Sequence, residues 1–152
     1  MQSRDLGQLL LLVNTQVKQV AGELRIARQQ LQRAIHLRQQ LNDFSIEYLA
    51  SALDGHRNGR LVSFARDAQA FGQRLQGTAC QQTEAISSHQ ERVQILQQRL
   101  QDLQMRSEGL DKQHAKVLRA EQRIAQRRLD AELEDVINAR LQPRLAQKLR
   151  YP

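Results

Sequence analysis

Apolar residues recur at alternating steps of three and four along most of the chain, and this spacing constrains the fold more than any other feature. The first run passes through Leu6, Leu10, Val13, Val17, Val20, Leu24, Ala27, Leu31 and Ala34, then Leu41 and Tyr48. A seven-residue repeat puts a narrow stripe on one side of an α-helix, and a second helix with its own stripe can bury it. Arg38 and Ser45 break the run. Leu37 and Phe44 stand beside them, which predicts that the stripe shifts or broadens near residue 50.

The repeat halts at Leu53-Asp54-Gly55-His56-Arg57-Asn58-Gly59-Arg60, a stretch with an Asp-Gly and an Asn-Gly pair. This reads as a turn, with Gly55 ending the first helix in a left-handed conformation and Ser63 capping the second. The second stripe runs through Phe64, Ala68, Phe71, Leu75, Ala79, Ile86, Val93, Leu96, Leu100, Leu103, Leu110, Val117 and Ile124. Gln82, His89 and His114 are its polar positions, and it continues as Leu129, Leu133, Val136, Ile137 and Leu141. Pro143 lacks a backbone donor and restricts Gln142, so regular helix is expected to stop about there. The expected fold is all-α: one long antiparallel two-helix coiled-coil hairpin over 1–152. Helix 1 covers about 3–53, a turn about 54–62, a longer helix 2 about 63–141 and a frayed basic tail 142–152.

Setting residue 52 against residue 63 gives a register that places Phe44 opposite Phe71, Leu41 near Leu75, Val20 near Leu96 and Val13 near Leu103. It also sets Leu6 against Gly109. The second helix is then expected to overhang from Leu110 to Leu141, on the order of 45 Å of helix with an exposed apolar stripe.

Composition agrees with a thin core. Of 152 residues 40% are hydrophobic and 3% aromatic, with no Trp, which is too little for a thick globule. The periodicity argues against disorder. A lone cysteine, Cys80, cannot form an internal disulfide, fits a reducing compartment and reads as a small filler on or beside the stripe. No apolar run approaches the roughly 20 residues that span a bilayer, and no secretory leader is legible, so a soluble cytoplasmic protein is expected.

No nucleotide-binding, hydrolase or metalloprotease motif is present, and His36, His56, His89 and His114 are not paired at ligand spacing. Neither enzyme activity nor a cofactor or metal is expected. The net charge of +7 favours acidic partners. Acids interleave with the basic residues, however, and no aromatic stacking residues stand among them, which argues against nucleic acid.

Two concentrations of residues remain. Phe44, Tyr48, Phe64 and Phe71 cluster around the turn. Phe64 reads as core, while Phe44, Tyr48, Phe71 and Leu75 divide between core and partner anchor. The other is Arg119 to Arg128, followed by Leu129-Asp130-Ala131-Glu132, which is either a solvated face or a contact surface.

These features resemble the FliJ family, small coiled-coil proteins of the bacterial flagellar type III export apparatus. The likeness extends from the first helix to about Leu141. It lies in Leu41-x-x-Phe44-x-x-x-Tyr48 before the turn, Phe71-x-x-x-Leu75 after it, and Ala120-Glu121-x-Arg123 followed by Gln126-Arg127-Arg128-Leu129-Asp130. The resemblance implies a form similar to the central stalk of rotary ATPases, with coupling of a hexameric export ATPase to the export gate. It further implies promotion of ring assembly, handling of export chaperones, and peripheral association with the inner membrane at the flagellar base. Carried over by position, Leu41, Phe44, Tyr48, Phe71 and Leu75 match the gate-binding surface. Glu121, Arg123, Arg127, Arg128, Leu129 and Asp130 match the part held by the ATPase ring. Leu37, Thr78 and Gln82 depart from the family's pattern at the edges of the gate surface. The sequence alternatives are the related YscO-like stalk of virulence injectisomes and a basic coiled-coil arm binding RNA.

Overall fold

The computed structural model describes the backbone of residues 1–57 and 62–150 and the side chains of 1–54 and 62–144. Among these residues there are two elements and no strand: α1, Ser3–Arg57, and α2, Val62–Arg150. They pack against each other along their heptad stripes as a helical hairpin.

Both helices outrun their sequence signals. α1 continues through Asp54 and Gly55 to Arg57, so Gly55 does not end it. A single helical glycine costs about 1 kcal/mol, which does not stop a helix already propagating. Asn58-Gly59, at the centre of the expected turn, lies outside the described residues. Ser63 falls inside the first turn of α2 and therefore is not its N-cap. Pro143 sits within α2, which runs on to Arg150, so the expected frayed tail from residue 142 is helical there. Proline keeps a helical φ; it removes one donor, a local cost of about 3 kcal/mol, and Leu141, Gln142 and Arg144 around it favour helix. Tyr151 and Pro152 lie outside the described residues.

The chain divides into two units, 16–103 on the turn side, and 1–15 with 104–152 at the termini. In the turn-side unit Val20, Leu24 and Ala27 of α1 close on Val93 and Leu96 of α2, with Leu31, Leu100 and Leu103 packed against them. Each large aliphatic side chain taken from water here contributes about 1.5–3 kcal/mol. Val20 and Leu96 share this cluster.

Toward the turn the buried set becomes small: Ser45, Ala52, Ala65, Ala68 and Ala79. Gly72 is buried with them. The Ser45 hydroxyl donates to the Gly72 carbonyl at 2.9 Å. A Cβ at Gly72 would stand 3.1 Å from Leu49 Cγ and 3.3 Å from the Ser45 carbonyl oxygen. The backbones approach too closely for rings to lie between them. The expected shift of the α1 stripe therefore does not occur: Leu37 and Phe44 are 44% and 51% exposed, while half-buried Arg38 and buried Ser45 keep the seam positions. On α2 the seam passes through Ala65 and Gly72 instead of their larger neighbours Phe64 and Phe71. Cys80 is exposed beside buried Ala79.

In the terminal unit Leu6 and Val13 are buried. Ser107 Oγ donates to Asn14 Oδ1 at 2.6 Å, a Cβ at Gly7 would meet His114 Nε2 at 3.6 Å, and Ser3 bonds Glu121. The first helix thus reaches about two turns further along α2 than the expected pairing of Leu6 with Gly109. α1 keeps its helix from Leu53 to Arg57, beyond the end expected for it. Leu110, His114, Val117 and Glu121 are half-buried in the seam, and every described side chain from Gln122 to Arg144 is exposed. The overhang begins after Glu121, not at Leu110.

Candidate partner-binding surfaces

The first surface belongs to the turn-side unit. With the seam closed by small residues, Phe44, Tyr48, Phe64 and Phe71 stand outside it, 51%, 40%, 53% and 42% exposed. Phe64, expected in the core, is the most exposed of the four. The pair the helices bring together is Tyr48 with Phe71, edge to face with ring centroids 4.8 Å apart and planes at 79°, rather than Phe44 with Phe71. This geometry suits the ring quadrupoles. Tyr48, Ser51, Phe64, Asp67, Ala68 and Phe71 line an open groove of about 290 Å³. Phe44, Glu47, Tyr48 and Ser51 line a second depression. Leu41 and Leu75 are half-buried seam residues, so they support the surface from below more than they form it.

Sequence reasoning missed Phe64 as a surface ring and missed the carboxylates Glu47 and Asp67 among the lining. Glycine and alanine directly after each phenylalanine, Phe64-Ala65 and Phe71-Gly72, were the available signal. An uninterrupted three-four spacing back from Ala79 selects the small residue each time.

The second surface belongs to the terminal unit. Continuing the seam beyond Glu121 at three-four spacing leads to Ile124, Arg128, Ala131 and Asp135. The apolar residues instead step by fours, through Ala125, Leu129 and Leu133 to Ile137. Such a run of fours turns the stripe away from the phase of the paired seam. The stripe is therefore out of phase with the seam that α1 covers. Ile124, Leu129, Leu133, Val136, Ile137 and Leu141 are all exposed.

Around that stripe stand the sequence-predicted charged residues. Arg123 Nε donates to the Arg119 carbonyl at 3.4 Å, and Gln126 Nε2 donates to Asp130 Oδ1 at 3.2 Å. Arg127, Arg128 and Leu129 are exposed. Ile124, Ala125 and Arg128 line a shallow depression with Gln2 and Glu121. Glu121 differs from the rest. It is half-buried, and its carboxylate accepts hydrogen bonds from the Ser3 hydroxyl and the Ser3 backbone N–H, which hold its pKa below the ordinary carboxylate value.

Among the described residues no group of His, Cys, Asp and Glu could hold a metal ion, and no helix is long and apolar enough to cross a membrane. No curated protein and no solved structure matches the chain. A family model described as Flagellar FliJ protein matches residues 1–141.

Proposed function

Because the chain belongs to the FliJ family, a component of the flagellar protein export apparatus, we propose that it acts there as a stalk coupling a hexameric export ATPase to the export gate. The observation that carries this reading is that the seam closes without either candidate surface. Four rings and a helical overhang, both costly to leave in water, stay outside the core. In this reading the overhang enters the ATPase ring, with Arg123, Arg127, Arg128, Leu129 and Asp130 as its contacts. Phe44, Tyr48 and Phe71, backed by Leu41 and Leu75, meet the cytoplasmic domain of the gate, and Phe64 extends that face. Export chaperones complete the set of partners, and the role is one of contact instead of catalysis. The family match is to the flagellar protein, which favours this machine over the injectisome.

Ring contacts of this kind are individually weak. Exposed charge pairs contribute roughly 0–1 kcal/mol each, which lets a ring hold a stalk while its subunits change state. The test is the rate of ATP hydrolysis by the export ATPase against added protein. Replacing Arg123, Arg127 and Arg128 together by Glu is expected to abolish stimulation while gate binding persists. Equal stimulation by wild type and variant would mean that the basic block is only a solvated face.

A further inference from the structure

The N-terminus of α1 is poorly capped by its own chain. The first N–H groups of any helix lack intrahelical acceptors, and a short polar side chain at the N-cap usually supplies one. Here the first helical bonds run from the Asp5 and Leu6 amides to the Gln2 carbonyl at 3.1 and 3.2 Å, which makes Gln2 the N-cap. Gln is not a favoured residue there. The amide of Ser3, the first helical residue, donates instead to Glu121 Oε1 of α2 at 2.9 Å, and the Ser3 hydroxyl donates to Oε2. These bonds join residues 118 apart in sequence. Glu121 is also the last seam position of α2, beyond which the described side chains are all exposed.

We propose that Glu121 caps α1 in trans, closing the hairpin at its open end, and that it serves the stalk as a positioning residue with no ring contact of its own. Both carboxylate oxygens are engaged by Ser3, and a carboxylate at a helix N-terminus is further favoured by the helix dipole. The cap fixes where paired helix ends and the overhang starts. The second part of the proposal rests on the coupling role given above.

The experiment compares full-length wild type, Glu121→Ala, and Glu121→Ala combined with Gln2→Asp, which restores a preferred N-cap from α1 itself. Two readouts are taken: backbone amide exchange in the first turns of α1, and stimulation of the export ATPase. Glu121→Ala is expected to speed exchange there roughly fivefold, leaving residues 16–103 unchanged, and to weaken stimulation. The added Gln2→Asp is expected to reverse both. Unchanged exchange in Glu121→Ala would overturn the cap. Exchange restored by Gln2→Asp without restored stimulation would show Glu121 touching the ring itself, and would overturn the positioning role. Should wild type fail to stimulate, the coupling reading falls, and exchange alone then decides the cap.

Discussion

Two stretches of the turn-side unit follow the same heptad rule with opposite consequences. Around Leu24 and Leu96 the seam holds large aliphatic residues, and they are buried. Around Ser45 and Gly72 it holds Ser, Ala and Gly, the backbones close to where a single added methyl would press on Leu49, and the large residues stand outside. Spacing alone says which positions face the partner helix; the size of the residues there sets how near the helices come. The aliphatic stretch is where burial holds the hairpin together. The small-residue stretch presents its rings to solvent.

The largest effect is expected in the aliphatic stretch. Leu24 is 5% exposed, and Leu24→Ala should cost about 2–3 kcal/mol in urea unfolding followed by circular dichroism, near the low end for buried leucines because a two-helix core is thin. A loss under about 1 kcal/mol would show that this stretch is not what holds the hairpin. The glycines of α2 then test the close approach. A Cβ at Gly77 meets nothing within 4 Å, so Gly77→Ala should stabilise by about 0.5–1 kcal/mol through helix propensity. Gly72→Ala gains the same propensity but presses on Leu49 and on the rigid Ser45 carbonyl, and should give no stabilisation. Equal gains at both positions would mean that the helices are not tightly apposed at Ser45.

Much of this was legible in the sequence. The two helices, the seam through Val20, Leu24, Val93 and Leu96, and the half-buried polar positions Gln82, His89 and His114 all follow from periodicity. What failed did so for identifiable physical reasons. The largest residues place the stripe at Phe64 and Phe71, whereas strict spacing places it at Ala65 and Gly72, and the buried residues follow the spacing. Ending α1 at Gly55 and setting residue 52 against residue 63 puts the register about two turns off at the terminal end of the seam. That in turn exposed Leu110 and Val117 on paper, although α1 covers them, and hid the pairing of Ser3 with Glu121. Contacts across residues 118 apart depend on register, so one misplaced turn removes them from view.

A smaller effect on stability is expected from the rings, and it separates the two stretches further. Phe44 and Tyr48 are 51% and 40% exposed, so Phe44→Ala with Tyr48→Ala together should cost about 1–2 kcal/mol in the same unfolding assay. Binding to the gate domain, measured by calorimetry, should fall at least about tenfold, as expected when aromatic anchors are truncated. If the double variant loses most of its helix instead, the rings belong to the core and the gate surface must lie elsewhere.

The smallest effect concerns pH at the other end of α1, where a polar pair replaces apolar packing altogether. The pKa of Glu121 is lowered first by the Ser3 hydroxyl and then by the Ser3 backbone N–H, with smaller help from His114 and the N-terminal amino group. A carboxylate whose folded pKa lies below its unfolded value contributes stability that is fully present above the unfolded pKa, about 4.3, and lost as pH falls through the folded one. Amide exchange in the first turns of α1 should therefore be independent of Glu121 ionisation near neutrality and become faster, after correction for intrinsic rates, only below about pH 4. Glu121→Gln keeps an oxygen to accept from Ser3 but has no proton to gain, so its corrected profile should lack that step. The comparison cancels the other carboxylates, which both proteins share. A step of equal size in the variant would assign the acid response to groups other than Glu121.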